Sequence, residues 1–236
     1  MDAFIAGDTS LKEIELQLLG SVEGKSILHL QCHFGQDTLS LQRMGARATG
    51  MDFSDLAIEK AQELNEKLGL EAQFVSCSLY ELPKHLDKQF DIVYTSYGVI
   101  GWLPDINKWA SVVERFLKPG GKFIMVEFHP VVWIFDDKFS KVEYRYFNSS
   151  AIEETVEGTY ADRNVPIRQE YISWNHGLAE VVSSLLHRKL KLHSLNEYDY
   201  SPFDCFHGTV EVSPGKFRIE ALEDKIPMVY SLVMEK

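Results

Sequence analysis

The sequence predicts an α/β protein built on a doubly wound, mostly parallel sheet, and three observations carry that expectation. From residue 25 onward, short β-rich runs alternate with segments of helical period. The run "KFIMVEF" is a continuous apolar strand of the kind buried on both faces of a parallel sheet. The acid Asp52 closes the second strand run, about twenty residues beyond the end of the first, where sheets of this class receive ribose hydroxyls. A chain of 236 residues, 45% of them hydrophobic, can bury the core of one large domain, and residues 1–236 are read as a single one.

The elements follow in order. "KSILHLQC" is the first strand, "DTLSLQRMG" its crossover helix and "ARATGMDF" the second strand, together one βαβ unit. "SDLAIEKAQELNEKLGL" opens on Ser54 as N-cap, places Ala57, Ala61, Leu64 and Leu68 on one face and stops at Gly69. "AQFVSCSL" and "FDIVYTSYGV" are the next two strands, and the short "YELPKHLDKQ" between them leaves room for only a poor crossover helix. In "DINKWASVVERFL" the residues Ile106, Trp109, Ala110, Val113, Phe116 and Leu117 form a broad apolar stripe behind a capping Asp105. "KPGG" turns the chain into "KFIMVEF". Late in the chain "GLAEVVSSLLHRKL" aligns Leu178, Val181, Val182, Leu185 and Leu186, and "KLHSLNEYD" and "MVYSLVMEK" complete the pattern as a helix and two strands. Residues 131–175, crowded with Trp, Tyr and Phe, have no clean period, and a stretch of that length is usually a lid or a small inserted element.

Composition excludes several classes of partner. A formal charge of −11 supplies no basic field for phosphate backbones, so nucleic acid is not expected. No apolar run reaches membrane-spanning length and "MDAFIAGDTS" lacks the regions of a signal peptide, which points to a cytoplasmic protein with no membrane partner. Cys32, Cys77 and Cys205 are odd in number and free of any C-x-x-C spacing, so neither a disulfide framework nor a metal site is expected.

The turn after the first strand is unusual. A dinucleotide fingerprint would need glycine where Gln31, His33 and Gln36 stand, so the pyrophosphate cradle of an NAD enzyme is missing. A ligand carrying adenosine but no phosphate would use the same acid and tolerate a more polar turn. Four landmarks, Asp52, "FVSCSLYELP", "FDIVYTSYGVIGWLPD" and "FLKPGGKFIMVE", in their order and spacing resemble the class I S-adenosylmethionine-dependent methyltransferases, whose first motif falls on the turn. The resemblance covers roughly residues 20–130 and 175–236. It implies a Rossmann-like seven-stranded sheet, mostly parallel with an antiparallel last strand, and S-adenosylmethionine as cofactor, while the position and aromatic content of 131–175 suggest an inserted lid or substrate-side segment.

Against the family's acid-x-G-x-G-x-G the chain has His29, Gln31, His33 and Gly35, so a histidine replaces the acid and two glycines are gone. Ser78 stands where an aspartate often reaches the adenine. The cofactor contacts implied by the resemblance are His29, Gln31, His33, Phe34, Gly35, Asp52, Phe53, Ser78, Leu79 and Ser96. Bland readings stand beside them: His29 and His33 as core or cap histidines, Phe34 and Phe53 as packing, Ser78 as a cap.

Methyl transfer from a sulfonium is an in-line displacement, so alignment does most of the work and a base is optional. If the acceptor must shed a proton, His129 in "VEFHP" suits the role of catalytic base, the alternative being a strand-end histidine bonded to backbone. Tyr97, Trp102, Trp133, Tyr160 and Tyr171 are the expected walls of the acceptor side, and a small molecule is the expected acceptor. The aromatic insertion could serve a homodimer contact instead. Two other functions remain on the sequence alone, a non-catalytic S-adenosylmethionine-binding or sensor protein and a Rossmann-type NAD-dependent oxidoreductase.

Overall fold

A computed structural model of the chain describes residues 1–157 and 168–236. Two short helices, α1 (Asp2–Ala6) and α2 (Glu13–Leu19), precede the first strand, β1 (Ser26–Leu30). The alternation then runs α3 (Gln36–Arg43), β2 (Arg47–Asp52), α4 (Asp55–Lys67), β3 (Gln73–Ser76), α5 (Leu82–His85), β4 (Phe90–Thr95), α6 (Ile106–Phe116) and β5 (Leu117–Phe128). A hairpin of β6 (Ile152–Glu157) and β7 (Arg168–Ser173) follows, then α7 (Leu178–Leu186) and β8 (Lys191–Tyr198). A second hairpin, β9 (Thr209–Ser213) and β10 (Lys216–Ile219), leads to β11 (Val229–Glu235).

The main sheet has seven strands in the order β3-β2-β1-β4-β5-β11-β8. Strands β1 to β5 pair in parallel, and β11 runs antiparallel between β5 and β8. This is the doubly wound sheet with an antiparallel last strand that the sequence predicts. Its alternate residues feed two cores. Leu28, Leu30, Val93 and Met125 pack against Trp109, Val113 and Phe116 of α6 and Val181 and Leu185 of α7. Ile27, Ala48, Ile92 and Ile124 pack on the other face against Leu39 and Leu41 of α3, Leu64 of α4 and the N-terminal helices.

The caps form as their residues dictate. Ser54 Oγ accepts from the Ala57 N–H at 3.3 Å, and Asp105 Oδ1 from the Lys108 N–H at 2.9 Å. The expected "KPGG" turn is absorbed into β5 as an irregularity, since Phe90 pairs with Leu117 and Ile92 already with Lys122. The buried stripe of α7 is Val181, Ser184 and Leu185, while Leu186 is exposed.

The two-strand ending expected from the sequence is incomplete. Residues between β8 and β11 form the β9–β10 hairpin, and the loop before it contributes Phe203 and Phe206 to a third apolar cluster with Ile14, Phe128, Val132 and Phe139. That cluster closes the end of the sheet beside β5, so the insertion after β5 packs on a floor shared by distant parts of the chain.

Candidate active site

The carboxyl ends of β1, β2, β4 and β5 lie side by side, and the chemistry-bearing residues collect there. At the end of β1 the chain turns through Gln31 (φ 55°), His33 (φ 49°) and Gly35 (φ 72°). All three positions aligned with the family's glycines are left-handed, so the backbone course of a glycine-rich turn is present although two of its residues carry side chains. Each such residue costs on the order of 1 to 3 kcal/mol and persists only where surrounding structure imposes it. Gly35 has no alternative, because an added Cβ would lie 2.7 Å from the Phe74 ring and 2.8 Å from Ala61.

Two clamps impose the turn. Asp52, 6% exposed at the end of β2, accepts from the His33 N–H at 2.9 Å through Oδ2 and from the Ser54 N–H at 3.0 Å through Oδ1. Gln31 Nε2 donates to the Val99 carbonyl at 2.9 Å, tying the turn to the loop after β4. The other amide atom, Gln31 Oε1, is buried and has no hydrogen-bond partner among the described residues. Beside Asp52 the ring of Phe53 is 73% exposed, and Phe34 is exposed on the turn, stacked on His33 at 3.8 Å. Burial lowers the His33 pKa, with the Asp52 charge opposing.

His29 lies beneath the turn rather than on it. It is 2% exposed, its Nδ1 sits 2.9 Å from Thr38 Oγ1 of α3, and burial pushes its pKa down to about 4 against the pull of Asp37 and Asp52. A buried neutral imidazole is a packing element for the turn. Ser78 is exposed at the start of the short turn Leu79–Glu81, and Leu79 is buried. Ser96 Oγ reaches Asp37 Oδ2 at 3.3 Å.

The loop after β4 is held by a residue that sequence reasoning passed over. Glu127, 1% exposed near the end of β5, accepts from the backbone N–H groups of Gly98, Val99 (2.8 Å), Ile100 (3.3 Å) and Phe128 (2.7 Å). Burial raises its pKa to about 7 while those four donors oppose the shift. The signal was available: a single acid interrupts an otherwise apolar strand in "KFIMVEF".

Of the residues expected to face the acceptor, Trp102 and Tyr171 lie together at 5.6 Å, edge to face, and nearby the Trp174 N–H donates to the Gly101 carbonyl at 2.8 Å. The insertion is therefore docked onto the loop after β4. Tyr171 Oη donates to Glu154 Oε2 at 2.8 Å and Tyr144 Oη to the other oxygen of the same carboxylate. Trp133 packs on Phe128 at 5.8 Å and Phe206 at 5.6 Å. Tyr97 turns toward α2, donating to buried Glu15 at 2.7 Å and packing on Phe128 and Phe203. Tyr160 lies outside the described residues.

His129 is 6% exposed. Its Nδ1 accepts from the Val131 N–H at 3.2 Å, which leaves the ring proton on Nε2, 2.9 Å from Glu197 Oε1. Burial lowers its pKa and Glu197 opposes the shift. Nε2 is buried beside the Glu197 carboxylate without hydrogen-bond geometry, so the ring is held through Nδ1, whose lone pair is taken by the Val131 N–H.

Comparison with known proteins agrees with the geometry. A family model described as a methyltransferase domain matches residues 27–121, from β1 into β5. An uncharacterized methyltransferase from Synechocystis is 32% identical over 133 residues, covering 56% of this chain and 60% of that protein. A ubiquinone biosynthesis O-methyltransferase from Alkalilimnicola ehrlichii is 31% identical over 108 residues, 46% of this chain and 43% of its own length. The chain thus spans about half the length of these relatives. A solved S-adenosylmethionine-dependent methyltransferase from Mesorhizobium loti shares the fold over 98% of this chain and all of its own, with a TM-score of 0.64 and 16% identity. Residues 27–121 therefore match a methyltransferase domain, and the chain shares its fold with a solved S-adenosylmethionine-dependent methyltransferase.

The residues present suit S-adenosylmethionine. The left-handed turn leaves backbone at the sheet's carboxyl edge, the Asp52 carboxylate stands at the end of β2, where a ribose could be received, and the orphaned Oε1 of Gln31 is an acceptor suited to the ammonium of a methionine moiety. Among the described residues no helix is long and apolar enough to cross a membrane.

Proposed function

We propose that this chain catalyses methyl transfer from S-adenosylmethionine to a small-molecule acceptor in the cytoplasm. The cofactor supplies an electrophilic methyl on sulfur, and in-line displacement passes it to the acceptor while the sulfonium becomes a thioether. The chain's own task is positioning. Asp52 receives the ribose hydroxyls, Phe53 and Phe34 offer rings to the adenosine, and the turn at 31–35 receives the methionine end. The observation that carries this reading is the Asp52 carboxylate, buried at the end of β2 and clamping the left-handed turn through the His33 N–H.

The acceptor side is formed by Trp102, Tyr171 and Trp133, with His129 positioning the end of β5 through Glu197 and Val131. A small acceptor is favoured by the acidic balance of the chain and by its likeness, over 108 residues, to an enzyme whose name gives ubiquinone biosynthesis as its setting. A cytoplasmic location is supported by the three cysteines, which are odd in number and widely spaced, unlike a disulfide framework.

Calorimetry of S-adenosylhomocysteine tests the cofactor site. Losing a charged hydrogen-bond partner costs about 1.5 to 3 kcal/mol, so Asp52→Ala is expected to weaken binding more than tenfold. Unchanged affinity would sink the assignment. Turnover of labelled cofactor across a metabolite panel then separates an enzyme from a protein that merely senses the cofactor.

A further inference from the structure

The insertion holds a cavity of about 360 Å³ that the cofactor site does not use. Its volume falls in the range of small-ligand sites, roughly 300 to 1,000 Å³. Its walls come from the segment after β5, from Ile152 at the start of β6, and from Asn175 at the entry to α7. Two charged residues line it. Glu143 is paired with Lys141 at 3.2 Å, whereas the guanidinium of Arg145 has no carboxylate within pairing distance among the described residues. In a chain of net charge −11 an arginine left unpaired at a cavity wall is a local exception to the field around it.

The backbone beneath that arginine is fixed. Asn175, 9% exposed, donates through Nδ2 to the Arg145 carbonyl at 2.8 Å, and the same nitrogen lies 3.5 Å from the Trp133 carbonyl. The cavity is thereby tied to Trp133, which packs on Phe128 at the end of β5, and through Trp174 to Gly101 after β4. The same lining includes Tyr144, Phe147 and Ile152, which offer apolar surface, and Phe147 is 77% exposed. A cation with a forked donor face, carboxamides and an apolar wall make up a recognition set for an anion carried on an apolar body.

We propose that this cavity is the acceptor subsite and that it takes a small molecule bearing a carboxylate or phosphate, with Arg145 gripping the anion and the Tyr144–Phe147 wall receiving the apolar part. The inference rests on the methyl-transfer reading above for its role, but its ligand chemistry stands on the cavity alone. Arg145 is a specificity-determining residue in this account, distant in sequence from every residue assigned to the cofactor.

The test uses the full chain with benzoate, phenyl phosphate and the neutral isostere benzamide as probes. Titration is expected to show at least one of the two anions binding, weakened tenfold or more by Arg145→Gln and by added salt, with benzamide weak and indifferent to the substitution. Mass spectrometry after phenylglyoxal treatment should find Arg145 modified in the free protein and protected by the bound anion. Thermal denaturation and S-adenosylhomocysteine affinity, both unchanged in Arg145→Gln, confirm that the variant is folded. If neither anion binds, or if Arg145→Gln binds them as the parent does, the inference is overturned while the cofactor assignment stands. If the anions bind as described and S-adenosylhomocysteine does not, the cavity stands as an anion site and the methyl-transfer reading falls.

Discussion

The two halves of the sheet's carboxyl edge are built in different ways. The half over β1 and β2 is made of backbone: left-handed positions at 31, 33 and 35, a buried carboxylate on two N–H groups and an amide reaching across to the loop after β4. The half over β4 and β5 is made of side chains from far apart, rings stacked edge to face and tyrosines converging on Glu154. In the proposed assignment the cofactor is held by one tight turn, whereas the acceptor is held by side chains brought together by the insertion. Beneath each half lies a buried titratable group of opposite character, His29 under the turn and Glu127 under the loop after β4.

The largest expected effect breaks the first half. Gly35→Ala forces a Cβ into Phe74 and Ala61 and imposes a left-handed backbone on alanine. Overpacking and strain together cost on the order of 3 to 5 kcal/mol. Chemical denaturation measures it. A loss under about 1 kcal/mol would mean that the helices α3 and α4 slide apart freely, against the close packing described here.

The next effect compares the two buried groups by pH. His29 has its pKa depressed from 6.5 to about 4, so its contribution is present above pH 6.5 and is lost as pH falls through the folded value. Glu127 has its pKa raised from 4.5 to about 7, so its contribution is complete below pH 4.5 and is lost as pH rises through 7. Each shift corresponds to roughly 3 kcal/mol, and between pH 4.5 and 6.5 the two slopes oppose each other. The parent protein should therefore show a shallow stability profile there. His29→Asn should expose a stability that declines with rising pH, and Glu127→Gln one that increases. Parallel profiles for all three proteins would refute the pairing.

The acceptor half yields smaller changes. Tyr171→Phe removes one hydroxyl from a half-buried bond to Glu154, worth about 1 to 2 kcal/mol. The hairpin should loosen from the loop after β4, read as faster amide exchange at Trp174, whose N–H is held by Gly101. Cofactor affinity should be unaffected, since the turn at 31–35 shares no bond with Glu154. Altered S-adenosylhomocysteine binding would show that the two halves are coupled.

What was legible in the sequence follows the same division. The alternation of strands and helices and the placement of Asp52 and Gly35 are written in local pattern, because strand period, caps and turn residues act within a few positions; the seven-stranded plan comes from the family resemblance. The β9–β10 hairpin was missed although "TVEVSPGKFRI" alternates on both sides of a Pro-Gly turn. Its place depends on Phe206 meeting Phe128, Trp133 and Phe139, contacts that no local period announces. Glu127 was read as part of an apolar strand, and only the fold reveals that its oxygens face the N–H groups of Gly98 to Ile100. Arg145 and Asn175 meet across thirty residues of aperiodic sequence.

The smallest effect sharpens the comparison most. His33 carries a side chain at φ 49°, a conformation that glycine adopts without strain. His33→Gly removes that strain but adds freedom to the unfolded chain and deletes the stacking on Phe34 at 3.8 Å. The net change in stability is expected within about 1 kcal/mol, in the stabilising direction, because strain at such a position exceeds the entropy that glycine adds. If the imidazole serves only the turn, S-adenosylhomocysteine affinity stays as it was. If it contacts the cofactor, the variant becomes more stable and binds more weakly, the exchange expected where a protein keeps strain for function. Denaturation and calorimetry on one preparation distinguish these outcomes. A variant that loses stability by more than 1 kcal/mol would instead make the histidine a structural brace and remove it from the cofactor site.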